Sequence, residues 1–236
     1  MSFPPSNLKA RLILNGLAHA GAAAYPRGAE IGVRRGDTSA ALLRGHDNLT
    51  LLMVDPWVRQ ESGYTLATDP RFYGRPQANF DREYEQALEN TAFASDRRIV
   101  LRDYSTTAAS TVPNRSLDFV FIDACHSYEG CKGDLEAWYP KLKPPGFMCG
   151  HDYLRPNYPR EGVKRAVDEF ATRLGCPITI APGNMWLIHP NAGRPVFVNP
   201  PVAFHPSAVK VPDTKLKCPC KRRSLPNDSS KNGCTK

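Results

Sequence analysis

Residues 118–153 read DFVFIDACHSYEGCKGDLEAWYPKLKPPGFMCGHDY, and this stretch decides the fold. Phe119–Ile122 is a short apolar run of aromatic and β-branched residues, the pattern of a strand buried on both faces. Asp123 ends it. A carboxylate at that point leaves the carboxyl edge of a parallel sheet, where open α/β sheets bind their ligands. His126 follows in the loop, and Gly130–Leu142 is expected to form an amphipathic helix stopped by Pro144, Pro145 and Gly146. Phe147–Gly150 reads as a second buried strand, ending on His151, Asp152 and Tyr153. Either carboxylate alone is as readily a helix cap or a turn residue as part of a site. Two strands joined by one helix, each delivering an Asp and a His to one edge, point to a site built from Asp123, His126, His151 and Asp152.

Composition narrows the class. The chain has 236 residues with 22 Pro and 17 Gly, enough for one sizeable core with some chain outside it. It has no apolar run of about 18 residues and no charged, apolar leader, so it is expected to be a soluble, cytoplasmic protein that neither crosses nor anchors to a membrane. Of seven Cys, four (Cys125, Cys131, Cys149, Cys176) fall in or beside core elements and read as reduced, buried thiols. The net charge of +8 is unevenly placed: residues 207–236 carry a net +6, and the other 206 residues hold 23 basic and 21 acidic groups. The basicity belongs to a tail, and nucleic acid is an unfavoured partner for the nearly neutral body.

Outward from the central stretch, Ser6–Ala20 has the spacing of a helix, with Ser6 as N-cap and Leu8, Leu12, Ile13 and Leu17 on one face. Its expected role is to cover the sheet or the mouth of the site, and residues 1–27 are assigned to it. Glu30–Val33 reads as a strand end, Gly32 and Gly36 as a tight turn, and Thr38–Leu43 as the start of a helix. Backbone in such a turn is free to approach a ligand. A dinucleotide fingerprint would need Gly at 34 and 37, where Arg34 and Asp37 stand. Leu49–Val54 is the next buried strand, and Asp55 ends it. A carboxylate there can accept both hydroxyls of a ribose, or it is a turn residue before Pro56. Glu30, Gly32, Gly36 and Asp55 together form a nucleoside-binding half-site. Residues 57–78 lack a clean period and read as a lid or acceptor loop. Asn79–Phe93 is expected to be a helix capped by Asn79, and Ile99–Leu101 a third strand. After it, Asp103 either caps a following helix with Ser105 or bonds an adenine amino group.

Toward the C-terminus, the loop with Arg155, Tyr158 and Arg160 lies close to the presumed site. Gly162–Leu174 is a strongly amphipathic helix, and Ile178–Ile180 and Met185–Ile188 form a hairpin through Pro182–Asn184, with Trp186 in the core. Prolines recur from Pro190, so residues 191–206 are expected to be extended and 207–236 a disordered basic tail. Cys218, Cys220 and Cys234 fall one ligand short of a zinc site.

Lined up, these segments resemble the class I S-adenosylmethionine-dependent methyltransferases, and most closely the methyltransferase-24 type of small-molecule and sugar O-methyltransferases. The resemblance runs from about residue 28 to 189, and residues 28–190 are assigned to one methyltransferase domain. It is carried by Glu30-Ile-Gly-Val-Arg-Arg-Gly36, Val54-Asp-Pro-Trp57, Phe121-Ile-Asp-Ala-Cys-His-Ser-Tyr-Glu-Gly130, Gly150-His-Asp-Tyr153 and Gly162–Phe170. It implies a Rossmann-like α/β fold with a mostly parallel seven-stranded sheet, order 3-2-1-4-5-7-6, strand 7 antiparallel and helices on both faces. It further implies that Glu30, Gly32 and Gly36 contact the methionine part of S-adenosylmethionine, with Asp123 also on the cofactor. Asp55 would take the ribose hydroxyls, and Asp103 with Tyr104 or Ser105 the adenine. In metal-dependent relatives, carboxylates matching Asp123 and Asp152 hold a divalent cation, Mg²⁺ or Mn²⁺. Tyr153 stands where those relatives often place Asn or Asp, and Arg34 replaces a glycine.

The chemistry these residues suit is methyl transfer to a hydroxyl, with Asp123 and Asp152 on a cation and His126 as general base. His151 is either in the outer layer of that site or a core residue. The expected acceptor is a sugar, a glycan or another small polar molecule. Two other classes fit parts of the sequence: an RNA cap or ribose methyltransferase using the basic tail, and a non-catalytic cofactor-binding module. The N-terminal helix and the Pro-rich segment could also pack against a second copy in a homo-oligomer.

Overall fold

The computed structural model describes residues 7–21, 24–59, 74–154 and 162–189. At its centre is β4, Leu117–Ile122, buried at all six positions. Such a strand needs apolar cover on both faces, and parallel neighbours supply the frame. β1 (Arg27–Ile31) pairs with it on one side and β5 (Leu142–Gly150) on the other, both parallel. β2 (Thr50–Val54) and β3 (Arg98–Leu101) extend the sheet beyond β1. β7 (Met185–Ile188) pairs antiparallel with β5, and β6 (Ile178–Ala181) antiparallel with β7. The order is β3-β2-β1-β4-β5-β7-β6, as the family resemblance implies.

Alternation along the strands divides the core in two. Ala29, Ile31, Val54, Val120 and Ile122 face one layer, made by α4 (Ser105–Thr111), α5 (Tyr128–Trp138) and α6 (Gly162–Leu174). Leu51, Met53, Phe119, Phe121 and Phe147 face the other, made by α1 (Leu8–His19), α2 (Asp37–Gly45) and α3 (Gln77–Asn90). Phe119 and Phe147 stack at 6.0 Å between centroids, both fully buried. Burying each such ring stabilises the fold by about 1.5–3 kcal/mol.

Several boundaries differ from expectation, each for a local reason. Asn7, rather than Ser6, caps α1: its side chain accepts the Ala10 amide at 3.1 Å. The helix expected from Asn79 starts two residues earlier, behind Pro76, whose fixed φ suits a helix entry. α5 starts at Tyr128, because the Ser127 hydroxyl accepts the Gly130 amide, and it ends at Trp138. The prolines taken as helix breakers lie inside β5. They are tolerated because the β4–β5 register shifts between Leu117 and Phe119, a bulge in which ladder donors are not required.

Cys125, Cys131, Cys149 and Cys176 are free thiols, as expected, but only the first three are buried; Cys176, just past the end of α6, is partly exposed. No helix among the described residues is long and apolar enough to cross a membrane. Ser6, most of the expected lid, the loop with Arg155, Tyr158 and Arg160, the extended segment and the basic tail lie outside the described residues.

Candidate active site

The carboxyl ends of β1, β2, β4 and β5 open into one cavity of about 720 Å³, within the range of small-molecule sites. It has a turn end and a rim end.

The turn end is built on β1. Glu30 is buried, and the Ser39 hydroxyl of α2 donates to its Oε2. Burial pushes the Glu30 carboxyl up to about 8, so it holds a proton at neutral pH. Gly32 follows with φ +89, and a Cβ there would stand 2.2 Å from the Asp123 carbonyl oxygen. Only glycine fits. Gly36, at φ +76, starts α2, and a Cβ on it would lie 3.1 Å from the Ala87 Cα of α3. Arg34 takes the left-handed conformation (φ +54) that a glycine would be expected to hold, and its Nε bonds Glu83 Oε1 at 3.2 Å.

Asp55 binds this turn together. Its Oδ2 accepts the amides of Val33 and Arg34 at 3.0 and 2.9 Å, and its Oδ1 accepts the Trp57 amide at 2.8 Å. Trp57 Nε1 in turn donates to the Arg34 carbonyl at 2.7 Å. Burial raises the Asp55 carboxyl above its ordinary value, with the three amides acting in the opposite direction. Asp55 thus lines the cavity while holding the loop that forms its floor.

Beyond β3, Tyr104 and Ser105 line the cavity, and Asp103 does not. Asp103 Oδ1 accepts the amide of its neighbour Tyr104 at 2.6 Å, and no described side chain caps α4, whose N-cap is Tyr104, so the expected capping by Asp103 with Ser105 is not formed. A residue missed in the sequence stands there instead. Asp134 of α5 is buried on the cavity wall, and it hydrogen-bonds Ser105, whose Oγ accepts Trp138 Nε1 at 2.9 Å. Burial pushes the Asp134 carboxyl up to about 7. An acidic residue on the buried face of a helix was the signal that could have found it.

At the rim end, Asp123 and Asp152 come together as expected, with both histidines. His126 Nε2 lies 2.9 Å from Asp152 Oδ2 and 3.6 Å from Asp123 Oδ1. His151 Nδ1 lies 3.2 Å from Asp152 Oδ1 and 3.7 Å from Asp123 Oδ1, so this histidine belongs to the rim rather than to the core. Asp152 is at φ +60. A second residue missed in the sequence completes the group: Lys9 of α1, whose Nζ is 2.6 Å from Asp123 Oδ2.

Burial works against an imidazolium at position 126, but Asp123 and Asp152 outweigh it and push the pKa up to about 9. The two carboxylates therefore favour the cationic form of His126 at neutral pH. Burial likewise opposes ionisation of both carboxylates. His126 and Lys9 nonetheless hold Asp123 below the usual range, and His126 and His151 hold Asp152 well below it.

One ligand atom each from Asp123, His126 and Asp152 fall within 4.8 Å of one another. Two carboxylate oxygens and an imidazole nitrogen at that spacing fit a hard divalent cation such as Mg²⁺ or Mn²⁺. Tyr153 takes no part: its hydroxyl donates to Asp168 Oδ1 at 2.5 Å, and its amide to the Asn184 carbonyl at 3.1 Å.

Residues 29–153 match the family model described as a methyltransferase domain. Similar solved structures include the calicheamicin methyltransferase CalS11, at 17% identity over 77% of each chain with a TM-score of 0.56. A putative caffeoyl-CoA O-methyltransferase from Staphylococcus aureus aligns at 16% identity over 78% of this chain and 82% of that one, TM-score 0.55. The O-methyltransferase NovP aligns at 20% identity over 76% of each chain, TM-score 0.54. At these identities the likeness is one of fold. No curated protein matches the chain in sequence.

Proposed function

Because the chain belongs to the methyltransferase domain family, of the methyltransferase-24 type, we propose that it transfers a methyl group from S-adenosylmethionine to a hydroxyl of a sugar, a glycan or another small polar acceptor. The observation that carries this reading is one cavity with two chemically different ends. Glu30, Gly32 and Asp55 stand at one end, and the Asp123–His126–Asp152 rim at the other.

The cofactor supplies an electrophilic methyl group, whose bond to sulfur breaks as a bond to the acceptor oxygen forms. In such an in-line displacement, alignment provides much of the acceleration. The turn residues hold the cofactor: Glu30 faces its methionine part, Asp55 its ribose, and Tyr104 and Ser105 its base. A divalent cation held by Asp123 and Asp152 would supply positive charge that lowers the pKa of an acceptor hydroxyl. His126, between the two carboxylates, takes the acceptor's proton in its neutral form, which is the minor form at neutral pH while those carboxylates hold it charged. A second reading, favoured by the common reach of its ring nitrogen and the two carboxylates, makes His126 the third cation ligand and leaves the proton to His151.

Calorimetry with S-adenosylhomocysteine, with and without Mn²⁺, tests the cofactor and cation parts. Tritium transfer from labelled S-adenosylmethionine to monosaccharides, nucleotide sugars and RNA tests the acceptor class. The reading expects label on the sugar acceptors. Label on RNA alone sinks the acceptor class, and failure to bind S-adenosylhomocysteine sinks the cofactor. Retention of Mn²⁺ by His126→Ala separates the base reading from the ligand reading.

A further inference from the structure

Lys9 is out of place in its own helix. It lies in the first turn of α1, where backbone N–H groups already make the helix end positive and where anionic residues are the stabilising ones. That turn holds no acidic residue. What compensates is distant in sequence. The Lys9 ammonium meets Asp123 Oδ2, 114 residues away, at 2.6 Å. A local conflict of this kind, resolved only through a site residue, marks a functional position. The helix is seated firmly enough to place the group: Ala10, Ile13, Leu14 and Leu17 are buried, and a Cβ on Gly16 would touch the Phe147 ring at 2.8 Å.

We propose that Lys9 is a built-in cation of the rim, which neutralises Asp123 when no metal is bound and competes with a divalent ion for that carboxylate. The proposal rests on the reading of Asp123 and Asp152 as a cation site. Around these two carboxylates stand the Lys9 ammonium and the His126 and His151 rings, so the rim's negative charge is already countered by the protein. A divalent ion that takes Asp123 Oδ2 meets the ammonium already bonded to that oxygen. The Lys9 side chain is 29% exposed on a flexible four-carbon stem, so it can withdraw toward solvent when the ion binds. His126 has no such freedom, being mostly buried between the carboxylates. Lys9 is thus a positioning residue: it keeps Asp123 ordered and aimed into the cavity, and it sets how tightly an ion is taken.

The test is Mn²⁺ binding, read as free-ion signal by electron paramagnetic resonance, in the wild type, Lys9→Met and Lys9→Arg. Removing a unit charge beside a divalent one at a partly exposed site is expected to tighten Mn²⁺ on the order of tenfold. Methionine keeps the apolar stem, and α1 stays seated. Arginine keeps the charge and is expected to leave the wild-type affinity unchanged. Equal or weaker binding by Lys9→Met overturns the role of Lys9 and leaves the cation site standing. Tightening by both variants also overturns it, because loosening of α1 rather than charge would then be the cause. Absence of Mn²⁺ binding in all three proteins refutes the cation site and the competition with it.

Discussion

Glu30→Gln offers the sharpest test of the electrostatics at the turn end. In the folded protein the Glu30 carboxyl keeps its proton up to about pH 8, against an ordinary value of 4.5. Between those two values the unfolded chain is ionised at this residue and the folded chain is not, so folding takes up one proton. Unfolding free energy then falls by about 1.4 kcal/mol per pH unit as pH rises across that window. The contribution of Glu30 is complete below pH 4.5 and is lost as pH passes through 8. Over the whole window the loss is on the order of 5 kcal/mol, comparable to the total stability of many domains. Glutamine has the same shape, can accept the Ser39 hydroxyl and has no proton to lose. Urea unfolding of both proteins at several pH values between about 5.5 and 7 measures the difference, in which other titrating groups cancel. The variant should gain on the wild type by about 1.4 kcal/mol for each pH unit. Parallel curves would refute the reasoning, since they would mean that Glu30 is already ionised in the folded state.

Two further outcomes follow from the same geometry. Gly32→Ala forces a Cβ to within 2.2 Å of the Asp123 carbonyl at φ +89, and it should destabilise the fold by about 3 kcal/mol or more and abolish S-adenosylhomocysteine binding; unchanged thermal unfolding and binding would contradict it. Asp152→Asn removes one of the two carboxylates that keep His126 charged, so the imidazole titration followed by NMR should move down from about 9 toward its ordinary value, 6.5. A titration that stays in place would assign that role to Asp123 alone.

What the sequence makes legible here depends on how local each signal is. β4 and the later part of β5 are continuous apolar runs, each closed by a carboxylate, so both strands and the Asp123–Asp152 rim can be read directly. The Glu30–Gly36 turn is equally local. The early part of β5 is hidden because Pro144 and Pro145 read as breakers, and only the bulge against β4 shows why a strand accepts them. Lys9 is a cation in a helix's first turn, which marks it as unusual, but its partner lies 114 residues away and no local signal names it. Asp134 is legible but missed: it falls on the same face of α5 as Cys131, Leu135 and Trp138, and the structure sets that carboxyl on the cavity wall. Asp103 shows the opposite limit, since both of its readings were open and the structure places it off the wall, on its own turn.

The triple use of Asp55 bears on any redesign of this scaffold. Its carboxylate is a tie-rod across the Gly32–Gly36 loop, accepting the Val33, Arg34 and Trp57 amides before any ligand arrives. Under the proposed reading of Asp55 as the ribose partner, changing that preference by substitution here would slacken the loop at the same stroke, and the altered protein would lose shape before it gained a new choice. A redesigner would do better to leave Asp55 alone and work from the α4–α5 wall, where Tyr104 and Ser105 meet the cavity without holding the floor in place.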